Sequence, residues 1–498
     1  MNTLKTISIA IQVGLTCFGF SCTEKFEDLN TDPNRLDRVS PGTLLNPIIY
    51  EMATFNTARS DAFTFDLMQV SLPFPSVAGG IHRYDVSESA GNSTWNTYYK
   101  WIKNLNEMKA AADAVNDPNY QAIALVLNAW VYSQLTDSFG DVPMEEAGRG
   151  DERIYRPAFN TQQEVYTKIL ADLEQANTLF DPDSPLRYGT DLLYAINVPA
   201  GSDANKITVE RWNRFCNSLH LRLLLRISKR AEMNAGSKMA EIINTPAKYP
   251  IFTKNDESAI LRVTGVEPNV SPWGRSIDFT NGRAAADFFV NNLNDFNDPR
   301  RAKFLSQATR LNPITKKNDP IGFKGIPSGS DGGVVIDYNP SNMIRALVEA
   351  PMVCIIMTYA EVEFIKAELA QKGIITSDAE THYKNGIKAS MEQWGLIMPA
   401  DYFTNTATSQ FTAYNGTLER IMLQKYYALF FNDYQQWFEF RRTGFPVLPK
   451  GPGLMNNGIM PVRFKYPTTV ASTNRENYLK AVENMGGDDV NTKVWWEK

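Results

Sequence analysis

The sequence predicts an all-α fold of helix pairs, arranged like degenerate tetratricopeptide repeats and broken by one loop-rich segment. Three observations point there. Apolar residues recur every three or four positions over several long stretches, the period of one helix face. Short turn signals such as Asp117-Pro118 and Gly373 separate consecutive stretches, so neighbours fold back on one another. Between residues 250 and 350 that period is lost, and Pro, Gly, Asn and Ser dominate. The textual repeat is poor. The pairing rests on helix lengths and turns, and another all-α packing fits the same facts.

Taken in order, residues 1–21 read as a secretory signal peptide. Lys5 gives a positive start, and Ile7, Ile9, Ala10, Ile11, Val13, Gly14 and Leu15 make a short apolar run. Gly19-Phe20-Ser21-Cys22 closes it with small residues. The run falls short of the roughly 20 apolar residues a membrane-spanning helix needs. A cysteine after a small residue at this point is the layout of a bacterial lipobox. Cys22 is therefore the expected lipidation site, and residues 22–42 a polar tether. The alternative is an ordinary secreted protein.

Residues 43–249 form the first helical part. A helix is expected from Ser40-Pro41, because Pro suits a first helical turn; it carries Leu44, Leu45, Ile48, Ile49, Met52 and Phe55. Residues 70–94 form an irregular loop. Helices follow at about 93–115, 120–135, 161–180 and 209–230, the last with an apolar stripe of Trp212, Phe215, Leu219, Leu223 and Ile227. Arg222, Arg226 and Arg230 line another face, expected to be solvated or salt-bridged. Residues 250–350 form the loop-rich inserted subdomain. It holds a β-prone run at Ser258–Val263, a helix around Arg283–Leu293, and exposed turns at Asp298-Pro299-Arg300-Arg301 and Gly329–Gly333. Residues 351–498 form the second helical part, with helices at about 358–371, 378–394 and 417–441. An irregular tail follows, with a short helix near Asn474–Glu483.

Composition narrows the function. A net charge of -5 gives no basic footprint, so nucleic acid is not an expected partner. Only 3 His are present, which disfavours a histidine-rich metal site, and no metal or cofactor is expected. Cys216 and Cys354 sit in apolar runs and read as small buried hydrophobes. No Gly-x-Ser-x-Gly elbow, phosphate loop or His-Glu-x-x-His occurs. Glu361 and Glu363, two apart on a helix, point in different directions. Turn and capping roles suit Asp137 and Asp141 better than acid–base work. No catalytic residue is assigned. A hydrolase would need two carboxylates held across a cleft, and nothing in the sequence singles out such a pair.

Binding is better supported. Aromatic rings on loops, flanked by amides and charges, can hold sugar C–H faces or peptide side chains at low conformational cost. The candidate ligand-binding residues are Phe74, His82, Tyr84 and Trp95 in or beside the first loop, Trp273, Arg275 and Asn281 in the inserted segment, and Tyr338.

Ordered motifs along the chain resemble a known family. Cys22 is followed by Phe26-Glu27-Asp28-Leu29-Asn30-Thr31-Asp32-Pro33-Asn34. Then come Leu135-Thr136-Asp137-Ser138-Phe139-Gly140-Asp141-Val142-Pro143, Arg211-Trp212-Asn213-Arg214-Phe215 and Thr358-Tyr359-Ala360-Glu361-Val362-Glu363-Phe364. Near the end stand Arg441-Arg442-Thr443-Gly444-Phe445-Pro446, Arg463-Phe464-Lys465-Tyr466-Pro467 and Lys493-Val494-Trp495-Trp496. Together they resemble SusD/RagB-type outer-membrane lipoproteins of Bacteroidetes, the SusD-like subgroup in particular. The resemblance implies a tetratricopeptide-like superhelical scaffold with an irregular ligand-binding subdomain. It implies capture of an oligosaccharide, or sometimes a peptide, without catalysis. It also implies a TonB-dependent, SusC-like barrel transporter as partner, with the protein lipid-anchored and facing the cell exterior. The shared motifs are mostly scaffold, so the ligand residues above rest on position and chemistry.

Overall fold

The computed structural model describes residues 39–498 except Val77 and Asn197. The expected signal peptide, Cys22 and the expected tether up to residue 38 lie outside the described residues. Ser40–Lys498 form one unit.

Helix α1 (Pro41–Arg59) starts on the expected proline and buries Leu45, Ile48, Ile49 and Met52. It continues without a break into a π-turn, Ser60–Thr64, and a last helical turn, Phe65–Leu67. The Ser60 and Thr64 hydroxyls both donate to the Asp433 carbonyl, at 3.1 and 2.8 Å. After strand β1 (Ser71–Pro73) come α2 (Asn92–Ala114) and α3 (Pro118–Phe139). Asp117 caps α3 by accepting from the Asn119 and Tyr120 amides. Helix α4 (Gln162–Leu179) opens with a capping box of Thr161 and Glu164. Helices α5 (Ala204–Arg226) and α6 (Ala235–Asn244) complete this half. Each of α2 to α5 packs against the next, the helix-pair pattern read from the sequence.

The middle segment supplies β2 (Ala259–Val263), β3 (Arg283–Ala285), α7 (Asp287–Asp295), α8 (Arg300–Phe304), β4 (Thr309–Leu311), β5 (Asn318–Pro320) and β6 (Met352–Met357). The strands pair antiparallel, β1 with β3, β2 with β6 and β4 with β5. Two expectations are corrected here. Arg283–Ala285 is a strand, and the helix starts only at Asp287, because β1 supplies a partner from more than two hundred residues away. Asp298 and Arg300 are not an exposed turn. They form a buried ion pair at 2.7 Å, and Arg300 also donates to Ser390 and Gln424.

Helices α9 (Tyr359–Gln371), α10 (Ala379–Gln393), α11 (Leu418–Ala428), α12 (Gln435–Thr443) and α13 (Arg475–Met485) build the second half. Thr358, Asp378 and Thr417 cap the first three. Gly386 lets α9 and α10 close up, since a Cβ there would lie 2.9 Å from the Phe364 ring. The single helix expected over 417–441 is two, because Phe431 (φ 64°) and Asp433 (φ 39°) adopt left-handed backbone.

The core carries Trp101, Trp130, Trp212, Trp437 and Trp496 fully buried. An ionic array runs through it. The Arg222 and Arg226 stripe is salt-bridged but not solvated. Arg222 forks onto Glu361, and Arg226 reaches Glu439 at 2.9 Å. Arg442 binds both oxygens of Glu368 at 2.6 Å and also Glu439. Burial alone would raise the Glu368 carboxyl; the Arg442 pair outweighs it and lowers it to about 2. Cys216 and Cys354 are free and buried.

Candidate functional site

The pairing of β1 with β3 brings distant loops together. Ser71, Leu72 and Pro73 stand opposite Ala285, Ala284 and Arg283, and the Phe74 amide donates to the Gly282 carbonyl at 2.9 Å. The chain leaving β1 and the chain entering β3 therefore emerge side by side, placing Phe74 next to Asn281-Gly282. Below them, Leu72, Ala284, Ala286 and Ile326 form a small apolar core of their own, with Phe74 and Ile336 packed against it.

Phe74, Pro75, Ile326, Pro327, Val334 and Ile336 line a groove of about 270 Å³ on this face. Its far wall is a glycine-rich loop held by the C-terminal tail. The Gly453 amide donates to Gly329, the Met455 amide to Arg83, and the Gln69 side chain to Pro449, each at 2.7 Å. Close approach demands glycine here: a Cβ on Gly451 would sit 2.3 Å from the Ser328 carbonyl oxygen. Val334 and Val335 remain exposed at the edge, at 52% and 88%. A wider cavity of about 610 Å³ lies elsewhere, lined by Arg156, residues 472–477 and Leu479. It has no aromatic wall.

The candidate residues fall into three groups. Phe74 and Asn281 meet across the β1–β3 end, Asn281 exposed and Phe74 half-buried. Tyr338 is tied to the same face, its hydroxyl donating to the Gly325 carbonyl at 2.7 Å beside Ile326. Trp273 is half-buried, resting edge-on against Phe279 and Phe431 at 5.5 and 6.4 Å between ring centres. Arg275 is exposed, but its guanidinium is engaged by Asp278 at 2.6 Å.

The other three are interior. Trp95 packs among Tyr99, Phe139 and Tyr466, with ring centres 4.8 to 5.7 Å away, and offers no free face. It lies on the same buried side of α2 as Tyr98 and Trp101. Tyr84 is 4% exposed, and burial pushes its hydroxyl up to about 12. His82 is buried, and neither ring nitrogen has a hydrogen-bond partner among the described residues. Burial, then the charges of Arg83 and Arg283, lowers it to about 4, so the ring is neutral at pH 7.

Sequence reasoning missed the polar cluster beside these loops. Arg283 on β3 pairs with Asp66 and donates to the Ser71 hydroxyl and carbonyl, at 3.1 and 2.7 Å. Asp61, presented by the π-turn, lies 4.0 Å from the same guanidinium. Burial raises Asp61 to about 6, against the pull of Arg283; Asp66 raises it further, and the Trp273 indole N–H favours the charged form. Two acidic residues in the mainly apolar run Asp61-Ala62-Phe63-Thr64-Phe65-Asp66 were the available signal.

Asp137 and Asp141 have structural occupations. Asp137 accepts from the Tyr166 hydroxyl and the Trp496 indole, at 2.7 and 2.8 Å, and Asp141 from the Gln162 amide at 2.9 Å. Among the described residues no cluster of His, Cys, Asp or Glu is arranged to hold a metal ion, and no helix is long and apolar enough to cross a membrane.

This architecture, helix pairs carrying a loop-built face, is that of a binding scaffold. The chain belongs to the SusD-like family, described as starch-binding proteins associating with the outer membrane, and matches it over residues 33–467. Solved structures share the fold. A SusD homologue from Bacteroides fragilis is 22% identical with a TM-score of 0.73, the match covering 93% of this chain and 100% of that one. A chitin-binding SusD homologue from Flavobacterium johnsoniae and a SusD-like protein from Bacteroides thetaiotaomicron are each 21% identical with a TM-score of 0.72. Each match covers 92% of this chain and 98% of the other. No curated protein matches the chain.

Proposed function

We propose that the protein is a cell-surface nutrient-binding lipoprotein. It captures oligosaccharides on the face built from loop 70–94 and segment 250–350 and delivers them to a TonB-dependent, SusC-like barrel in the outer membrane. Lipid on Cys22 anchors it, and residues 22–42 are the tether. Family membership carries the reading, and the loop face supplies its chemistry: the Phe74 groove, the half-exposed Trp273 ring and the free amide of Asn281. A ring face takes the C–H side of a sugar while amides take its hydroxyls. No turnover is part of this role.

Peptide capture is the second reading. The groove wall is largely aliphatic, with Ile326, Val334 and Ile336 beside Phe74, and aliphatic walls suit apolar side chains as well as sugar faces. Calorimetry with chito- and malto-oligosaccharides and with apolar peptides separates the two. Under the glycan reading a sugar binds, and Trp273→Ala weakens it by about tenfold or more, the scale of one lost stacking contact. Binding only of peptides would favour the second reading. Unchanged sugar affinity in Trp273→Ala would remove that ring from the site.

A further inference from the structure

Glu361 and Glu363, two apart on α9, part company in the fold. Glu361 turns to Arg222, while Glu363 meets the start of α10. There three side chains form a line of hydrogen bonds. Glu363 Oε2 lies 2.8 Å from His382 Nδ1, and His382 Nε2 lies 2.9 Å from the Ser377 hydroxyl. Carboxylate, imidazole and hydroxyl in that order are the arrangement that activates a serine. The carboxylate is fixed from its other sides. Lys366 Nζ holds Oε1 at 2.9 Å, and the Asn385 amide donates to Oε2 at 3.2 Å. Burial alone would raise the Glu363 carboxyl; the bonds from His382 and Lys366 outweigh it and hold it below its ordinary value. A charged carboxylate accepts from Nδ1–H, which leaves Nε2 bare to accept from Ser377. Glu363 and His382 are shielded, their side chains 3% and 16% exposed, and Ser377 is open to solvent. Ser377 also stands one residue ahead of Asp378, the cap of α10, and so at the positive end of that helix. The Asp378 carboxylate is taken up by the Thr381 amide and hydroxyl, and Glu380 is paired with Lys384.

We propose that Ser377 is a nucleophile, His382 its general base and Glu363 the positioning residue of His382, and that together they hydrolyse short-chain carboxylic esters. Gly373, Thr376, Ser377 and Asp378 are all exposed, so the turn has no apolar wall for a long acyl chain, and an acetyl ester suits it. Ser377 Oγ attacks the ester carbonyl carbon while its proton passes to His382 Nε2. The carbonyl electron pair moves onto oxygen, at the N-terminal end of α10. As that pair returns, the ester C–O bond breaks, and His382 gives the proton to the departing alkoxide. Water then attacks the acetyl-serine, losing a proton to His382, which returns it to Ser377 Oγ as acetate leaves. The residues belong to α9, α10 and the turn between them, so this activity does not depend on the binding role proposed for the loop face.

The test uses the purified chain, a fluorophosphonate probe and p-nitrophenyl acetate. Peptide mapping should place the probe on Ser377 and leave Ser472, equally open to solvent, unlabelled. Ser377→Ala, a change at an exposed position, should abolish both labelling and acetate release. His382→Gln should slow both by about a hundredfold or more. Glu363→Gln should slow both by about tenfold or more. In nitrogen-15 spectra it should also shift the His382 ring from the Nδ1–H toward the Nε2–H tautomer, a change that lost stability does not produce. No label on Ser377, or acetate release that survives in Ser377→Ala, overturns the proposal whatever the buried variants do. An unchanged rate and tautomer in Glu363→Gln would overturn the role given to Glu363.

Discussion

Glu368 and Asp61 are both carboxylates taken out of water beside an arginine, yet they come out at opposite ends of the titration range. Glu368 is gripped by both arms of Arg442 at 2.6 Å and lies at about 2. Asp61 is 4.0 Å from an arginine committed elsewhere and lies at about 6. Desolvation acts the same way on both; hydrogen-bond geometry decides the outcome. In the helical core Glu368 and Glu439 are each gripped by more than one cation, whereas Asp61 beside the loop face is left partly unfastened. Satisfied buried charge makes a scaffold rigid, whereas incompletely satisfied charge is what a site can use.

Breaking the scaffold side should give the largest effect. Arg442→Met strands Glu368 and Glu439, both buried, without their shared guanidinium. Removing one partner of a buried pair costs about 3–5 kcal/mol, and urea unfolding at pH 7 should show a loss of that size. A loss under 1 kcal/mol would mean that Lys425, 2.8 Å from Glu439, and Lys372 carry the charge balance alone.

The helical half was legible in the sequence because its information is local. The apolar period fixed α2 to α5, α9 and α10, and the caps Asp117, Thr161, Thr358 and Asp378 stand within three residues of the amides they bind. What was not legible depends on distant partners. Arg222 reads as one residue of a surface stripe until Glu361, 139 positions away, closes on it. Arg283 reads as a helix start until β1 arrives. Of the candidate site, the loop residues Phe74, Trp273, Asn281 and Tyr338 were marked by ring and amide chemistry alone. Trp95 was placed there for its nearness to the loop, but α2 begins at Asn92 and turns that ring inward. Asp61 was overlooked because a helix prediction does not contain the π-turn that presents it.

Acid should separate the two regions next. His82 and His220 are lowered to about 4 from the roughly 6.5 of an unfolded histidine, so the stability they hold above 6.5 is lost as pH falls toward 4. Asp61 and Asp433, raised to about 6, act oppositely: the folded state gains relative stability as pH falls from 6 toward about 3.9. The four effects offset one another, so the melting temperature should change little between pH 6.5 and 4. Glu368 then dominates. Its pKa is lowered, so its stability is present above about 4.3 and lost as pH falls toward 2. A melting temperature that declined steadily from pH 6.5 would show that the histidines outweigh the raised carboxylates.

The smallest effect, and the sharpest on the comparison, belongs to Asp61→Asn. A carboxylate whose folded pKa is raised destabilises the fold whenever it is charged. The amide keeps its shape without the charge, so at pH 7.5 the variant should be more stable than the unmutated protein, by about 3 kcal/mol at most. The gain should shrink as pH falls through 6 and vanish below about 4, where Asp61 is protonated in both states. The matching change on the scaffold, Glu368→Gln, should be destabilising at pH 7.5, because there the charge is fully bound and its loss leaves Arg442 with one carboxylate in place of two. Urea midpoints for the two variants at pH 7.5 and 4.5 measure both signs. Opposite signs at pH 7.5 would mean that the loop face holds a charge the fold itself would be better without, the condition expected of a carboxylate kept for work at a site; equal signs would make Asp61 one more member of the ionic core.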